Sequence, residues 1–323
     1  MSESNELNFG LPLEGEVENI IEETTNLGLL NNDTPETEEE QQTIRGLSKK
    51  EYNDPNQIRV TIADSDAPLV VLFGPPACGK TMTLVRLARY LNKNGYKISP
   101  IKTFRPSDDQ NYVELCNPEN FSRIINSPDA ANSTSNVSFM LVEVIKDGKR
   151  LCQILESPGE YLFNPNKPTE PFPSYVNTII HSKNRKLWTI MVEPDWRDME
   201  DRINYVSRIN DLYRQMDSRD KTLFIFNKID KTNFVRQRGL VNISQAQKEI
   251  SNNYPGIFEI FKNQNPITKW WKDYRCGFVP FQTGTYTKTN KTDKKGNTIY
   301  SFQEGPDNFP QMLWNEIRKS ITG

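Results

Sequence analysis

The chain has 323 residues, 35% of them hydrophobic and 25% charged, enough to bury one large or two small cores. No run of about 18 apolar residues occurs, which excludes a membrane-spanning helix, and the only histidine, His181, leaves no basis for zinc binding or a Ser–His catalytic pair. The net charge of −2 averages an acidic N-terminal stretch against a more basic remainder.

Residues 1–57 are rich in Glu, Asn and Thr, with runs such as Thr37-Glu38-Glu39-Glu40-Gln41-Gln42 and almost no aromatics. This composition predicts a disordered acidic tail, in which Leu27, Leu29 and Leu30 form an apolar patch that could dock a partner. The globular part is expected from residue 58 to 323. Its first strand, at 68–73, ends in Leu69-Val70-Val71-Leu72-Phe73 and runs directly into Gly74-Pro75-Pro76-Ala77-Cys78-Gly79-Lys80-Thr81. That is a complete G-x-x-x-x-G-K-[ST] phosphate loop, followed by a helix. Backbone N–H groups from Ala77, Cys78 and Gly79 through Met82 would cradle phosphate at the positive end of that helix. Lys80 would bridge the outer phosphates and Thr81 would offer its hydroxyl to Mg²⁺. The prolines occupy motif positions where a missing N–H does little harm. The pattern predicts a nucleotide site.

Residues 96–131 exceed what a simple strand–helix–strand unit needs, and are read as a first insertion. Strands at 137–145 and 150–155 flank Lys146-Asp147-Gly148-Lys149, a strong hairpin signal. Glu156-Ser157-Pro158-Gly159-Glu160 follows, and then a Pro- and Asn-rich second insertion at 161–173. A strand at 187–193 precedes a helix at 198–217, where Met199, Ile203, Val206, Leu212, Tyr213 and Met216 recur at helical spacing as a core stripe. The next strand, 222–226, ends in Asn227-Lys228-Ile229-Asp230. The Asp230 carboxylate can accept both adjacent donors of guanine, the ring N1–H and the 2-amino group, while adenine offers no such pair. Asn227 would brace the loop and Lys228 would lie over the base. A third insertion, 231–271, ends in Trp270-Trp271. A last strand at 278–281 leads to Gln282-Thr283-Gly284, a polar hairpin is expected around Lys295-Gly296-Asn297, and a closing helix at 310–321 carries Leu313, Trp314, Ile317 and Ile321.

The phosphate loop and N-K-x-D together resemble the TRAFAC-class GTPases, the Ras-like G domains. The resemblance covers roughly residues 68–321 and implies an α/β P-loop fold: a doubly wound, mostly parallel six-stranded sheet with one antiparallel strand, binding GTP or GDP with Mg²⁺. In such proteins D-x-x-G follows the hairpin. Here Glu156 replaces the aspartate that holds Mg²⁺, and Gly159 retains the N–H offered to the γ-phosphate. A glutamine usually comes next, and the chain has Glu160, which either acts as general base on water or turns away and leaves hydrolysis slow or dependent on a partner. A P-G-E sequence after this strand is similar to some bacterial G-protein families. The first-switch threonine that binds Mg²⁺ is assigned to Thr134, with Ser133 and Thr103 as rivals. Thr283 and Gly284 fall where family members read the guanine carbonyl with a backbone N–H.

The expected activity is therefore a Mg²⁺-dependent GTPase switch. The alternatives are a GTP-binding scaffold with negligible hydrolysis and a P-loop ATPase in which N-K-x-D is accidental. A protein partner would engage the switch segments or the insertions, though such insertions are also tolerated as decoration. Lys183, Arg185, Lys186, Lys288, Lys291, Lys294 and Lys295 lie in polar segments without interleaved aromatics, and read as solvated surface and not as a nucleic-acid face. Cys78, Cys116, Cys152 and Cys276 lack C-x-x-C spacing and read as reduced thiols; Met1-Ser2-Glu3 does not open a signal peptide and no prenylation cysteine ends the chain, so a cytoplasmic location is expected.

Overall fold

A computed structural model describes residues 47–126, 139–194, 196–233, 235–237, 240–265, 273–292 and 298–322, all within the unit Gln41–Gly323. Eleven strands are described: β1 (Leu69–Phe73), β2 (Lys97–Pro100), β3 (Met140–Lys146), β4 (Lys149–Glu156), β5 (Lys186–Val192), β6 (Lys221–Phe226), β7 (Val235–Gln237), β8 (Leu240–Val241), β9 (Gly277–Pro280), β10 (Gly284–Thr292) and β11 (Thr298–Glu304). The helices are α1 (Lys49–Asn53), α2 (Lys80–Lys93), α3 (Gln110–Leu115), α4 (Pro118–Asn126), α5 (Gly159–Leu162), α6 (Ser174–Ile180), α7 (Met199–Gln215), α8 (Ile243–Asn253) and α9 (Asn308–Thr322).

The central sheet runs β2-β3-β4-β1-β5-β6-β9, and only β3 is antiparallel to the rest. This is the α/β fold expected, with seven strands where six were predicted. The additional strand is β2, inside the stretch read as the first insertion; Ile98 is its only buried residue, so the apolar pattern that marks a two-sided strand is missing. Apolar runs buried on both faces explain the central strands: every residue of β1 and β5 is buried. Register places Phe73 beside Ile190, Ile190 beside Phe224, and Phe224 beside Phe278. On this face Tyr205 of α7 stacks on Phe73, and Phe258 and Phe261 meet Phe224 edge-on. The β3–β4 turn has positive φ at both Asp147 (51°) and Gly148 (75°), as its Asp-Gly sequence implies.

Several expectations are corrected. Residues 47–57, assigned to the tail, carry α1 with a complete Ser48–Glu51 capping box and a 3₁₀ turn at Pro55–Gln57. The stripe on α7 is only partly core: Tyr205, Val206, Ile209 and Leu212 are buried, whereas Met199 and Ile203 are 46% and 52% exposed, because at about 100° per residue they fall on the helix face away from Tyr205, Ile209 and Leu212. Lys186 is not surface: it opens β5 and is buried against Asp220, donating to the carbonyls of Ser182 and Asn184. The third insertion contains β7, β8 and α8; Trp270 and Trp271 lie outside the described residues, as do residues 293–297 at the tip of the β10–β11 hairpin. None of the four cysteines is in a disulfide and all are buried, and His181 is exposed at the end of α6. No described helix is long and apolar enough to cross a membrane.

Candidate functional site

After β1 the chain turns toward β2, β3 and β4 on one side, then returns to build β5, β6 and β9 on the other. The carboxyl ends of β1, β4, β5, β6 and β9 therefore share one edge, and the loops that leave them meet at the point where the winding reverses. Residues 74–79 leave β1. Gly79 caps α2 with φ 92°, and an added Cβ there would lie 2.3 Å from Asn227 Nδ2, so both backbone and space require glycine. Ala77 also has positive φ, 60°, a costly state for a residue with a side chain that is concentrated at functional loops. The Lys80 side chain folds back beneath the loop, where Nζ donates to the carbonyls of Gly74 (3.1 Å) and Pro75 (2.9 Å) and only 6% of the residue is exposed. Cys78 is buried, and burial pushes its thiol up. Met82 is buried in the first turn of α2 and packs into the core.

Glu156 ends β4 facing α2. Thr81 Oγ1 donates to Glu156 Oε1, while Oε2, also buried, has no hydrogen-bond partner. Burial pushes the Glu156 carboxyl up to about 8, opposed by the Thr81 hydrogen bond and the charge of Lys80. A hydroxyl and an unsatisfied carboxylate oxygen on facing elements form a hard-oxygen donor set, chemistry that fits Mg²⁺. Gly159, three residues on, begins α5 and lies against the phosphate loop: an added Cβ would sit 2.4 Å from Pro75 C and Pro76 N, and 2.6 Å from Lys80 Nζ. Glu160 is half-buried in the same short helix.

Residues 227–230 leave β6 and reach the phosphate loop from the other side. Asn227 Nδ2 donates to Cys78 O (2.7 Å) and Lys228 Nζ to Ala77 O (3.2 Å), while Asp230 is exposed at the rim. Lys228 has φ 56° and lies 2.7 Å from Glu193 Oε1, an ion-pair contact whose angles fall short of a hydrogen bond. Glu193 is a member of this cluster that the sequence reading missed; its signal was an acid closing the otherwise apolar run of β5. Residues 281–284 complete the group, because Ile229 N donates to Phe281 O and Phe281 N to Phe226 O. Thr283 O accepts from Gly305 N. Gly284 has its own packing reason, since a Cβ would meet Gln303 O at 2.3 Å and the Phe302 ring at 2.5 Å.

The structure thus gathers residues 74–82, Glu156, Gly159, residues 227–230 and residues 282–284 along one edge. Thr134 and Ser133 lie outside the described residues, and Thr103 is exposed in a 3₁₀ turn at Lys102–Phe104. Among the described residues no group of three or more His, Cys, Asp or Glu side chains is arranged to hold a metal.

No family model and no curated protein matches the chain. Among solved structures it is similar to a nucleolar GTP-binding protein 1 from Plasmodium falciparum, at 14% identity and a TM-score of 0.33, over 70% of this chain and 81% of that one.

Proposed function

We propose that the chain binds guanine nucleotides with Mg²⁺ and hydrolyses GTP slowly, or with the help of a protein partner. One observation carries this reading: Asn227 and Lys228 donate to the carbonyls of Cys78 and Ala77, so the loop suited to guanine and the loop suited to phosphate are one hydrogen-bonded unit. In it, the amides from Ala77 to Met82 and the Lys80 ammonium hold the phosphates, Asp230 accepts from guanine N1–H and its 2-amino group, and the Thr283–Gly284 backbone reads the base carbonyl. Thr81 and Glu156 would hold Mg²⁺, which neutralises charge on the outer phosphates when bound, and Thr134 would add a further oxygen. Gly159 N–H would meet the γ-phosphate, and Glu160 would hold or accept a proton from the attacking water. Partners would engage the segments around Gly159 or the insertions, in the cytoplasm.

A second reading, binding with negligible hydrolysis, is favoured by Glu156. A carboxyl raised to about 8 is largely protonated at neutral pH, and a protonated acid is a poor cation ligand.

Titration calorimetry with GTP, GDP and ATP in Mg²⁺, followed by phosphate release, tests both. Guanine-selective binding with release supports the switch, and selective binding without release supports the second reading. Asp230→Asn should lower discrimination of GTP against ATP by about 100-fold. Equal binding of ATP and GTP by the native chain would remove the role given to Asp230.

A further inference from the structure

We propose that residues 47–57 form a strap that reports the presence of a third phosphate, closed in the arrangement described above and released when a nucleoside triphosphate displaces Gly159. The inference rests on the guanine-nucleotide reading and adds a regulatory element that precedes the phosphate loop in the chain.

The strap is built from both ends of its short helix. Leu47 and Ile58 are buried at its two limits, and Ser48 and Glu51 cap α1 reciprocally. Glu51 also pairs with Arg105 (2.5 Å), whose side chain is 1% exposed, and the same guanidinium holds Asp109 and the Arg59 carbonyl. This fixes the strap to the segment between β2 and α3. Its other attachments are to the chain that follows Gly159. Tyr161 donates its hydroxyl to Tyr52 O (2.9 Å), and Asn56 Oδ1 accepts from both the amide (3.1 Å) and the hydroxyl (3.2 Å) of Ser174. Residues 47–57 therefore bridge the segment between β2 and α3 and the chain that follows Gly159, which lies against the phosphate loop.

The trigger is a matter of space. Gly159 approaches so closely that its Cα lies within about 4 Å of Lys80 Nζ. A phosphate oxygen bonded to both Nζ and the Gly159 amide needs roughly 2.8 Å from each, together with room for the phosphorus and its other oxygens. Gly159 also abuts the loop backbone, where an added Cβ would lie 2.4 Å from Pro75 C and Pro76 N, so a γ-phosphate that meets Lys80 and the Gly159 amide together pushes Gly159 outward, whereas a diphosphate need not reach it. Tyr161 is two residues along the same one-turn helix, α5, and moves with it, which breaks the hydroxyl contact to Tyr52. By linkage, weakening the strap must favour the triphosphate to the same degree that the triphosphate weakens the strap.

The full chain should be compared by amide hydrogen exchange with GDP and with a non-hydrolysable GTP analogue, both in Mg²⁺. Protection of residues 49–57 is expected to fall about tenfold with the analogue. Tyr161→Phe, which removes one hydroxyl, should raise analogue affinity about threefold and leave GDP affinity unchanged; Asn56→Ala should act in the same direction. Equal protection with both nucleotides, or variants that shift both affinities alike, would overturn the strap while leaving the site intact. Failure of the native chain to bind either nucleotide would overturn the site reading and the strap with it.

Discussion

Glu156 shows how one methylene changes a site. The longer side chain reaches Thr81 Oγ1 from the end of β4, but its second oxygen is buried without a partner, so burial favours the neutral acid. A carboxyl raised from 4.5 to about 8 by folding binds its proton more tightly in the folded state. Its contribution is fully present below pH 4.5 and is lost as pH rises to about 8, at up to about 1.4 kcal/mol per pH unit. Denaturant unfolding in EDTA should show the native chain losing a few kcal/mol more than Glu156→Gln between pH 5.5 and 8.5. Identical pH slopes would mean that Glu156 is ionised when the chain folds. The places of the phosphate loop and N-K-x-D in the fold were legible because each is a local pattern that follows an apolar strand. Glu193 was missed because its relation to Lys228 spans two strands, and an acid closing an apolar strand does not by itself name its partner.

At the level of elements, residues 161–173 were read as a Pro- and Asn-rich insertion, and the structure shows what binds the chain there. Arg208, on α7, is buried and donates to Leu162 O and Glu170 O, both at 2.7 Å, with its guanidinium 3.5 Å from the centre of the Phe172 ring. Burial lowers the Arg208 side chain to about 10, with the charges of Asp211 and Glu170 opposing the shift. Arg208→Met keeps much of the packing stem but strands two carbonyls, at a cost of about 1–3 kcal/mol each. Limited proteolysis should then cut within residues 163–171 at least tenfold faster, and an unchanged rate would show that Phe172 and Tyr175 hold the segment unaided. Strands β1, β3, β4, β5, β6 and β9 and helices α7 and α9 were legible to within a few residues, since burial on one or both faces sets their apolar period, whereas β7, β8 and α8 were not placed within the third insertion. The edge strand β2 was not, and neither was α1: its five residues are all at least partly exposed, and it is held by a capping box and by Arg105, a partner about fifty residues away in the chain.

Across the whole molecule, the helix that begins at the phosphate loop is joined to the far end of the chain. Arg86 of α2, with a side chain 2% exposed, meets Glu304 (3.1 Å), Asp307 (2.6 Å) and the Gly305 carbonyl (2.8 Å), and Arg89 adds a second contact to Glu304. The acids are nearly half exposed, so solvent screening limits the worth of the cluster, and Arg86→Met should cost about 2 kcal/mol. The effect should concentrate in the β10–β11 hairpin, whose amides should exchange faster than those of β1 and β5. Uniform acceleration across the sheet would show that the cluster supports the fold at large.

This joint makes the two sides of the site mechanically unequal. Residues 282–284 and α2 are tied by the sheet and, through the hydrogen bond from Gly305 N to Thr283 O, by the ionic cluster on Arg86. The opposite side, from Gly159 to Ser174, is held by Arg208, by one hydrogen bond to Tyr52 O and by two to Asn56 Oδ1. On the strap proposed above, the molecule would grip like a caliper: a ligand longer by one group would move the arm that carries Gly159 and leave the fit of its other end unchanged.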